Sequence, residues 1–167
     1  LYDSETAAAL RRHVQNLSAA YLEGRSPGSE GESLAAQYVE EVMTGYGVGL
    51  LSASGGDVFG IARENGDTLT SRNVIGYVQG YDRKLRDSYI VVGARLDNIG
   101  TMTMTVDGRP VERVYYGANG NASGLAMMME LARMVETNSI MFRRSVIFAA
   151  FGASTDTFAG SWYFLNR

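Results

Sequence analysis

Three stretches of apolar residues predict the strands of one largely buried sheet. They are residues 73–79, 89–94 and 145–153, and the last two are continuous apolar runs. Such runs are typical of strands that are covered on both faces. The connection between the first two, residues 80–87, is too short to hold a crossover helix, so we expect these two strands to pair antiparallel.

Apolar positions at helical spacing predict four helices between and around these strands. The third, which ends near Val135, is apolar on most of its faces and is expected to be buried, and the fourth covers residues 158–166. The candidate N-caps of the first three helices are Asp3 or Ser4, Ser29 in a capping box with Glu32, and Asn121 or Ser123. The core-facing positions predicted for the first helix are Leu10, Val14, Leu17 and Tyr21, and those predicted for the second are Leu34, Tyr38 and Val42, with Ala35 and Val39 as further candidates.

These elements predict one α/β domain over residues 1–167, with a mixed sheet and helices on its two faces. Asn65-Gly66 predicts a turn between short strands near residues 58–62 and 68–70. Asp107-Gly108 predicts a hairpin insertion near residues 101–116.

Polar residues follow two of the predicted strands at the point where each strand ends. Arg95, Asp97 and Asn98 come after one run, and Ser154 and Thr155 come after another. Ligands of open α/β sheets bind beyond the carboxyl ends of the strands. The sequence therefore predicts a cleft there, and the Gly-Ala pairs before the polar residues would let the loops approach closely. Asn119 and Asn121, before the third helix, are expected to line the same cleft.

Three motifs in this order resemble the di-zinc aminopeptidases, whose relatives include glutamate carboxypeptidases and glutaminyl cyclases. They are GARLDN, YYGANGNASGLAMMMELAR and RRSVIFAAFGASTDTFAGSWYF. The resemblance runs from about residue 22 to residue 167. It implies a mixed, mostly parallel sheet of which this chain is the N-terminal portion, without the C-terminal part of the family fold, and it suggests a secreted or periplasmic location.

The resemblance also implies where the family's zinc site would lie, and four positions depart from it. The family would have a zinc-binding histidine at Arg95, a metal-bridging aspartate at Gly120, a general-base glutamate at Ser154 and a zinc-binding glutamate at Thr155. Asp97 matches the aspartate that orients the metal-bound histidine. The two zinc ions of the family are therefore not expected here as cofactors.

Arg95 and Ser154, two of the replaced positions, allow further interpretations of their role. Arg95 is interpreted in three ways: as an ion-pair partner of Asp97, as a site for the carboxylate of a peptide-like ligand, or as drift in a site no longer in use. Ser154 follows Gly-Ala at a strand end, but the pattern of a nucleophile elbow is incomplete, so a nucleophilic role is rejected.

Composition excludes several other functions. The 167 residues carry a net charge of −3, so no basic surface indicates nucleic-acid binding. No apolar run approaches the length of about 18 residues that spans a bilayer. There is no cysteine, and the single histidine, His13, cannot build an imidazole-rich zinc site. We interpret His13 as a solvated or packing residue of the first helix.

Three hypotheses of function remain. The preferred one is a non-catalytic relative of the aminopeptidases that binds a peptide or a protein or serves as a scaffold. The second is an active metallo-aminopeptidase with ligands supplied elsewhere. The third is a phosphate- or peptide-binding module, since Gly117, Gly120 and Gly124 precede a predicted helix.

Overall fold

The structure, a computed structural model, describes residues 4–166 of the chain. The helices of this part are α1 (Glu5–Leu17), α2 (Glu30–Gly45), α3 (Ser123–Thr137) and α4 (Ala159–Leu165). The strands are β1 (Gly49–Leu50), β2 (Asp57–Ala62), β3 (Thr68–Val78), β4 (Tyr89–Arg95), β5 (Gly100–Val106), β6 (Arg109–Tyr115) and β7 (Ser145–Phe151). Short helical turns lie at Ala20–Leu22, Ala118–Ala122 and Ser139–Met141. None of the helices in residues 4–166 is long and apolar enough to cross a membrane.

A mixed sheet forms the centre of the molecule, in the order β1-β3-β7-β4, with β2 also paired to β3. β7 runs parallel to β4 and antiparallel to β3. The predicted mixed sheet between helices is confirmed. Within residues 4–166, β4 and β7 form the one parallel pair, and β1 and β2 both pair antiparallel with the long strand β3.

The prediction that the strands at residues 73–79 and 89–94 pair with each other is wrong. β7 lies between β3 and β4 and pairs with both. The connecting segment passes the start of β7 instead of turning back as a hairpin. There, Gly80 donates its N–H to the hydroxyl oxygen of Ser145 at 3.0 Å, and that hydroxyl donates to the carbonyl of Arg86 at 2.6 Å.

The prediction that β4 is covered on both faces is also wrong, because successive side chains, which lie on opposite faces, are exposed. Tyr89, Ile90 and Val91 are all about half exposed. Within the part of the chain that the structure describes, β7 is the one strand that pairs with β4. β7 itself is buried from Ser145 to Ala150. The two strands have the same apolar pattern, because that pattern reports side-chain preference and carries no information on neighbours.

Helices cover both faces of the sheet. On one face, α2 and α3 pack on residues such as Val74 and Phe148, and α1 packs on α3. On the other face, Phe164 of α4 packs edge-to-face against Phe151, with ring centroids 5.6 Å apart. The main core therefore lies under α2 and α3.

Two of the predicted helix caps are present. The side chain of Ser4 accepts from the N–H of Ala7, and that of Ser29 accepts from the N–H of Glu32. Asp3 lies outside the described residues. The predicted cap of α3 at Asn121 or Ser123 is wrong, because the helix begins without a side-chain cap.

The predicted core positions of the first two helices are partly wrong. Tyr21 lies beyond the end of α1 and is exposed, and Leu34 lies on the outer side of α2. The buried stripe of α2 contains the predicted Ala35 and Val39, together with Ala36 and Met43, which the prediction did not include. Alanines let the helix approach the sheet closely, so the face with the largest side chains need not be the buried one.

The predicted hairpin is present as the separate two-stranded sheet β5-β6. Asp107 and Gly108 form its turn with φ of 50° and 74°, the positive values that a tight hairpin turn requires. Its base is attached to the rest of the molecule by the N–H of Gly100, which donates to the carbonyl of Gly24 at 3.1 Å.

Candidate functional site

A buried carboxylate lies where β4 and β7 end. Asp97 is fully buried, and its Oδ1 accepts from the N–H of Ser154 at 2.7 Å. Its Oδ2 accepts from the N–H and from the hydroxyl of Thr155, at 2.8 and 2.6 Å. Three donors therefore replace the water that the carboxylate lost on burial. The two parallel strands end at the same edge of the sheet, and the segments after them are joined there by the contacts of Asp97 with Ser154 and Thr155.

The hydroxyls of Ser154 and Thr155 are both engaged as hydrogen-bond donors. Ser154 is buried and donates to the carbonyl of Phe151 at 3.0 Å, while Thr155 donates to Asp97. The histidine that could activate a serine is His13, and its ring contacts Tyr38, Tyr46 and Glu130 between three helices. Neither hydroxyl is placed as a nucleophile or as a base.

Arg95 and Gly120 are neighbours at this edge of the sheet. Arg95 ends β4 with an exposed side chain, and a methyl group at position 120 would lie 3.7 Å from its Nη2. Within residues 4–166 the guanidinium has no hydrogen-bond or ion-pair partner. The ion pair with Asp97 that the sequence left open is therefore not formed, since the carboxylate faces Ser154 and Thr155.

Sequence reasoning missed Arg25, which connects the loops around the site. Its buried guanidinium donates to the carbonyl oxygens of Leu17, Leu96, Tyr116 and Gly117. Burial lowers the pKa of Arg25 to about 10, while the charge of Asp97 acts to raise it, so the side chain is charged at neutral pH. Arginine is almost never fully buried, and the stretch RSPGSEG gives no sign that this one is.

Glu32 is a second buried group that the sequence assigned only to a cap. Its Oε1 accepts from the hydroxyl of Ser71 at 2.7 Å and from the N–H of Ala153 at 3.1 Å, and its Oε2 accepts from the N–H of Gly28 at 2.8 Å. Burial raises the pKa of Glu32, and these three hydrogen bonds oppose that effect. The carboxylate joins the loop before α2 to β3 and to the segment after β7.

The three asparagines assigned to the cleft have different surroundings. Asn98 is buried and donates from Nδ2 to the carbonyl of Tyr115 at 2.8 Å, at the base of the hairpin. The carbonyl of Asn119 accepts from the hydroxyl of Ser123 at 3.2 Å. Asn121 lines a hollow of about 290 Å³ between β4 and α3. That all of the predicted site residues line one cleft stays a prediction.

In the described part of the chain, no group of side chains is arranged as a set of metal ligands. Within residues 4–166, no three His, Cys, Asp or Glu side chains lie together as a metal site requires. A surface depression of about 650 Å³ is lined by α2, by Gly55 and by Arg72. None of the residues around Asp97 lines it.

The fold is similar to that of several solved structures. LapB from Legionella pneumophila aligns over 95% of this chain with a TM-score of 0.62 and 24% identity. An aminopeptidase from Aneurinibacillus sp. strain AM-1 aligns over 95% with a TM-score of 0.68 and 17% identity. A glutaminyl cyclase from Porphyromonas gingivalis aligns over 96% with a TM-score of 0.64 and 17% identity.

This chain spans only part of the length of these proteins, namely 38%, 65% and 54% of them in the same order. No curated protein matches the sequence. A sequence profile of peptidase family M28 matches residues 73–167, which is more than half of the chain and includes β4, β7 and the segments after them. The chain therefore belongs to peptidase family M28.

Proposed function

We propose that this chain is a non-catalytic member of its family, which uses the aminopeptidase fold for binding or as a scaffold. The observation that carries the proposal is the surroundings of Asp97. Both carboxylate oxygens accept hydrogen bonds from Ser154 and Thr155, the positions where the family resemblance implies glutamates. Three of the roughly four acceptor positions of this carboxylate are thereby occupied by backbone and hydroxyl donors.

The residues present do not fit zinc. Zinc is bound by imidazole, thiolate or carboxylate groups, whereas the implied ligand positions carry a guanidinium at Arg95, no side chain at Gly120 and a hydroxyl at Thr155. A guanidinium about 4 Å from a divalent ion is repelled by roughly 8 kcal/mol at an effective dielectric constant near 20. None of the three positions supplies a ligand that would offset this repulsion.

Loss of the base removes a second requirement of the family reaction. A general base contributes a factor of about 100 to 10,000 to the rate, and the implied base position holds the buried hydroxyl of Ser154, which donates to a carbonyl. A metal supplies both the activated water and the polarisation of the substrate carbonyl. Without either, we expect no aminopeptidase activity.

The test is metal content together with hydrolysis. The protein is equilibrated with zinc, dialysed and subjected to elemental analysis, and hydrolysis of a leucyl amide reporter is followed with and without a chelator. We expect no stoichiometric zinc and no turnover above background, with a zinc-dependent aminopeptidase as the positive control. Stoichiometric zinc together with chelator-sensitive turnover would establish the alternative, an active metallo-aminopeptidase.

A second candidate, binding of a carboxylate-bearing peptide, is favoured by one observation. The exposed guanidinium of Arg95 has no partner within residues 4–166, and guanidinium groups bind carboxylates through paired hydrogen bonds. Calorimetric titration with a short apolar peptide should show binding that weakens when its carboxyl terminus is amidated. Arg95→Gln should abolish that difference, and Arg109→Gln on the exposed hairpin is the matched control. Equal binding by the amidated peptide would contradict this candidate.

A further inference from the structure

A buried polar cluster joins three helices on the sheet face that carries α1, α2 and α3. His13 of α1 is 2% exposed. Its Nδ1 lies 2.7 Å from the hydroxyl oxygen of Tyr38, and its Nε2 lies 3.0 Å from that of Tyr46 and 3.3 Å from Oε1 of Glu130. The one histidine of the sequence therefore contacts α2, the residue after α2, and α3 at once.

The contacts of this cluster match a neutral imidazole. The hydroxyl oxygen of Tyr38 accepts from Nδ2 of Asn16 at 3.0 Å, which leaves its proton to donate to Nδ1 of His13. Nε2 then carries the ring proton and faces Glu130 and Tyr46, and the Tyr46 hydroxyl donates to Glu130 at 2.6 Å. Each donor in this arrangement has an acceptor.

A second proton on His13 disturbs this arrangement. Nδ1 becomes a donor, so the hydroxyl of Tyr38 must turn its own proton away from the ring, and that proton then has no acceptor within the cluster. Tyr38 is half-buried, so water offsets the loss of this hydrogen bond only in part. The protonated ring is also a charge in a site shielded from solvent.

The negative charge of Glu130 favours the protonated ring. The same carboxylate also accepts hydrogen bonds from two other side chains. Its Oε1 accepts from Tyr46, and its Oε2 accepts from Nε of Arg133 at 3.0 Å. Burial lowers the pKa of His13, while Glu130 acts to raise it and Arg12 lowers it further. The titratable or charged groups that face this cluster are Glu5, Arg12, Tyr21, Tyr38, Tyr46, Glu130 and Arg133.

Solvent reaches the edge of the cluster. A hollow of about 180 Å³ is lined by Glu5, Arg12, Tyr46, Glu130 and Arg133, between α1 and α3. The ring of His13 lies behind Tyr46 and Glu130, so α1 has to move away from α3 before the imidazole is fully hydrated.

We propose that the His13 cluster is a pH-sensitive latch, which holds α1 against α2 and α3 when the imidazole is neutral and lets α1 detach on mild acidification. The released state binds a proton on a hydrated imidazole, and the latched state does not. Acid therefore shifts the equilibrium toward release, starting near the ordinary histidine pKa of about 6.5. The change begins above the range in which exposed carboxylates titrate.

The test uses the fact that the sequence contains a single histidine. The imidazole proton resonances are followed by NMR from pH 8 to pH 4.5, and amide hydrogen exchange is measured across α1, α2 and α3 over the same range. We expect a His13 pKa below 6.5 in the folded protein. The hydrogen-exchange protection factor of α1 should fall selectively below pH 6.5. The total decrease should be about tenfold for each pH unit that separates the His13 pKa of the released state from that of the latched state.

Two variants separate the latch from general acid sensitivity. His13→Gln stays neutral, so its α1 protection should be flat between pH 7 and pH 5. Glu130→Gln removes the negative charge that acts to raise the His13 pKa, so the His13 pKa should fall further below that of the parent protein. This second readout remains available should His13→Gln fail to fold.

Several outcomes would overturn the proposal. They are a folded-state His13 pKa at or above 6.5, loss of protection that is equal in all three helices, and an unchanged pH profile in His13→Gln. The first would mean that the attraction of Glu130 dominates, and acid would then tighten the contact of α1 instead of loosening it.

Discussion

Thr155 donates twice to one oxygen of Asp97, from its backbone N–H at 2.8 Å and from its hydroxyl at 2.6 Å. Together with the N–H of Ser154 on the other oxygen, this contact fixes the segment after β7 to the segment after β4. In this chain the aspartate at the end of β4 is thus part of the framework that holds the loops.

Removal of the Asp97 carboxylate should destabilise the fold strongly. Asp97→Ala leaves the buried N–H of Ser154 without an acceptor, which costs about 1 to 3 kcal/mol, and the N–H and hydroxyl of the exposed Thr155 lose a charged acceptor that water replaces only in part. We expect the free energy of unfolding in urea to fall by about 2 kcal/mol or more. Asp87→Ala, at an exposed position, is the matched control and should change it by about 0.5 kcal/mol at most. Similar small effects for both variants would contradict the structural role.

Glu32 should give stability a component that decreases as pH rises. Its folded-state pKa lies above the ordinary value of 4.5 because of burial, so the folded chain keeps a proton that the unfolded chain has released. Stability from this group is present below about pH 4.5 and is lost as pH rises through the folded pKa. Urea unfolding from pH 4 to pH 8 should show this slope in the parent protein and in Glu64→Gln, an exposed control. The slope should be absent in Glu32→Gln, and its persistence there would assign it to another group.

Two glycines before α3 should respond differently to alanine. Gly117 has φ of 66°, and a methyl group there would lie 2.5 Å from Nδ2 of Asn98. Gly120 has φ of −121°, and a methyl group there meets Nη2 of Arg95 at 3.7 Å, an ordinary contact. We expect Gly117→Ala to cost about 2 kcal/mol or more and Gly120→Ala about 0.5 kcal/mol or less, by thermal or urea unfolding. The opposite order would show that the loop is arranged differently.

The free edge of β4 should promote self-association. In the part of the chain that the structure describes, no strand pairs with one side of β4, and half-exposed side chains such as Val91 lie along it. Natural edge strands are usually protected by charged residues. Val91→Lys should lower the associated fraction in sedimentation velocity while changing the free energy of unfolding by about 1 kcal/mol or less. Glu64→Lys adds the same side chain away from the edge and should leave association nearly unchanged. Equal association of the two variants would place the contact elsewhere.

Local features of this fold were predictable, and non-local ones were not. The Ser29 cap and the Asp107-Gly108 turn depend on residues a few positions apart, so the sequence alone predicts them. The exposed edge of β4 depends on which strand lies beside it, and its apolar run is also typical of an inner strand. Asp97 was identified as a site residue because it follows a predicted strand, which is a local feature. Its contacts with Thr155 are non-local and are seen only in the folded chain.

Buried charges were the least predictable part of the site. Arg25 and Glu32 lie in a polar stretch whose sequence predicts a surface loop followed by the capped start of a helix. Their burial follows from acceptors and donors that lie far away along the chain, such as the carbonyl of Leu96 and the N–H of Ala153. No periodicity reports such contacts.

The contacts of Arg25 also have a consequence for the order of folding. Its guanidinium donates to the carbonyls of Leu17, Leu96, Tyr116 and Gly117, which come together only after α1, β4 and the hairpin have assembled. Contacts of such long sequence separation tend to form late, so the transition state should contain few of them. Arg25→Met should therefore accelerate unfolding and leave the refolding rate nearly unchanged. In stopped-flow experiments the unfolding arm of the chevron would shift while the folding arm stays in place, and the lifetime of the native state would shorten.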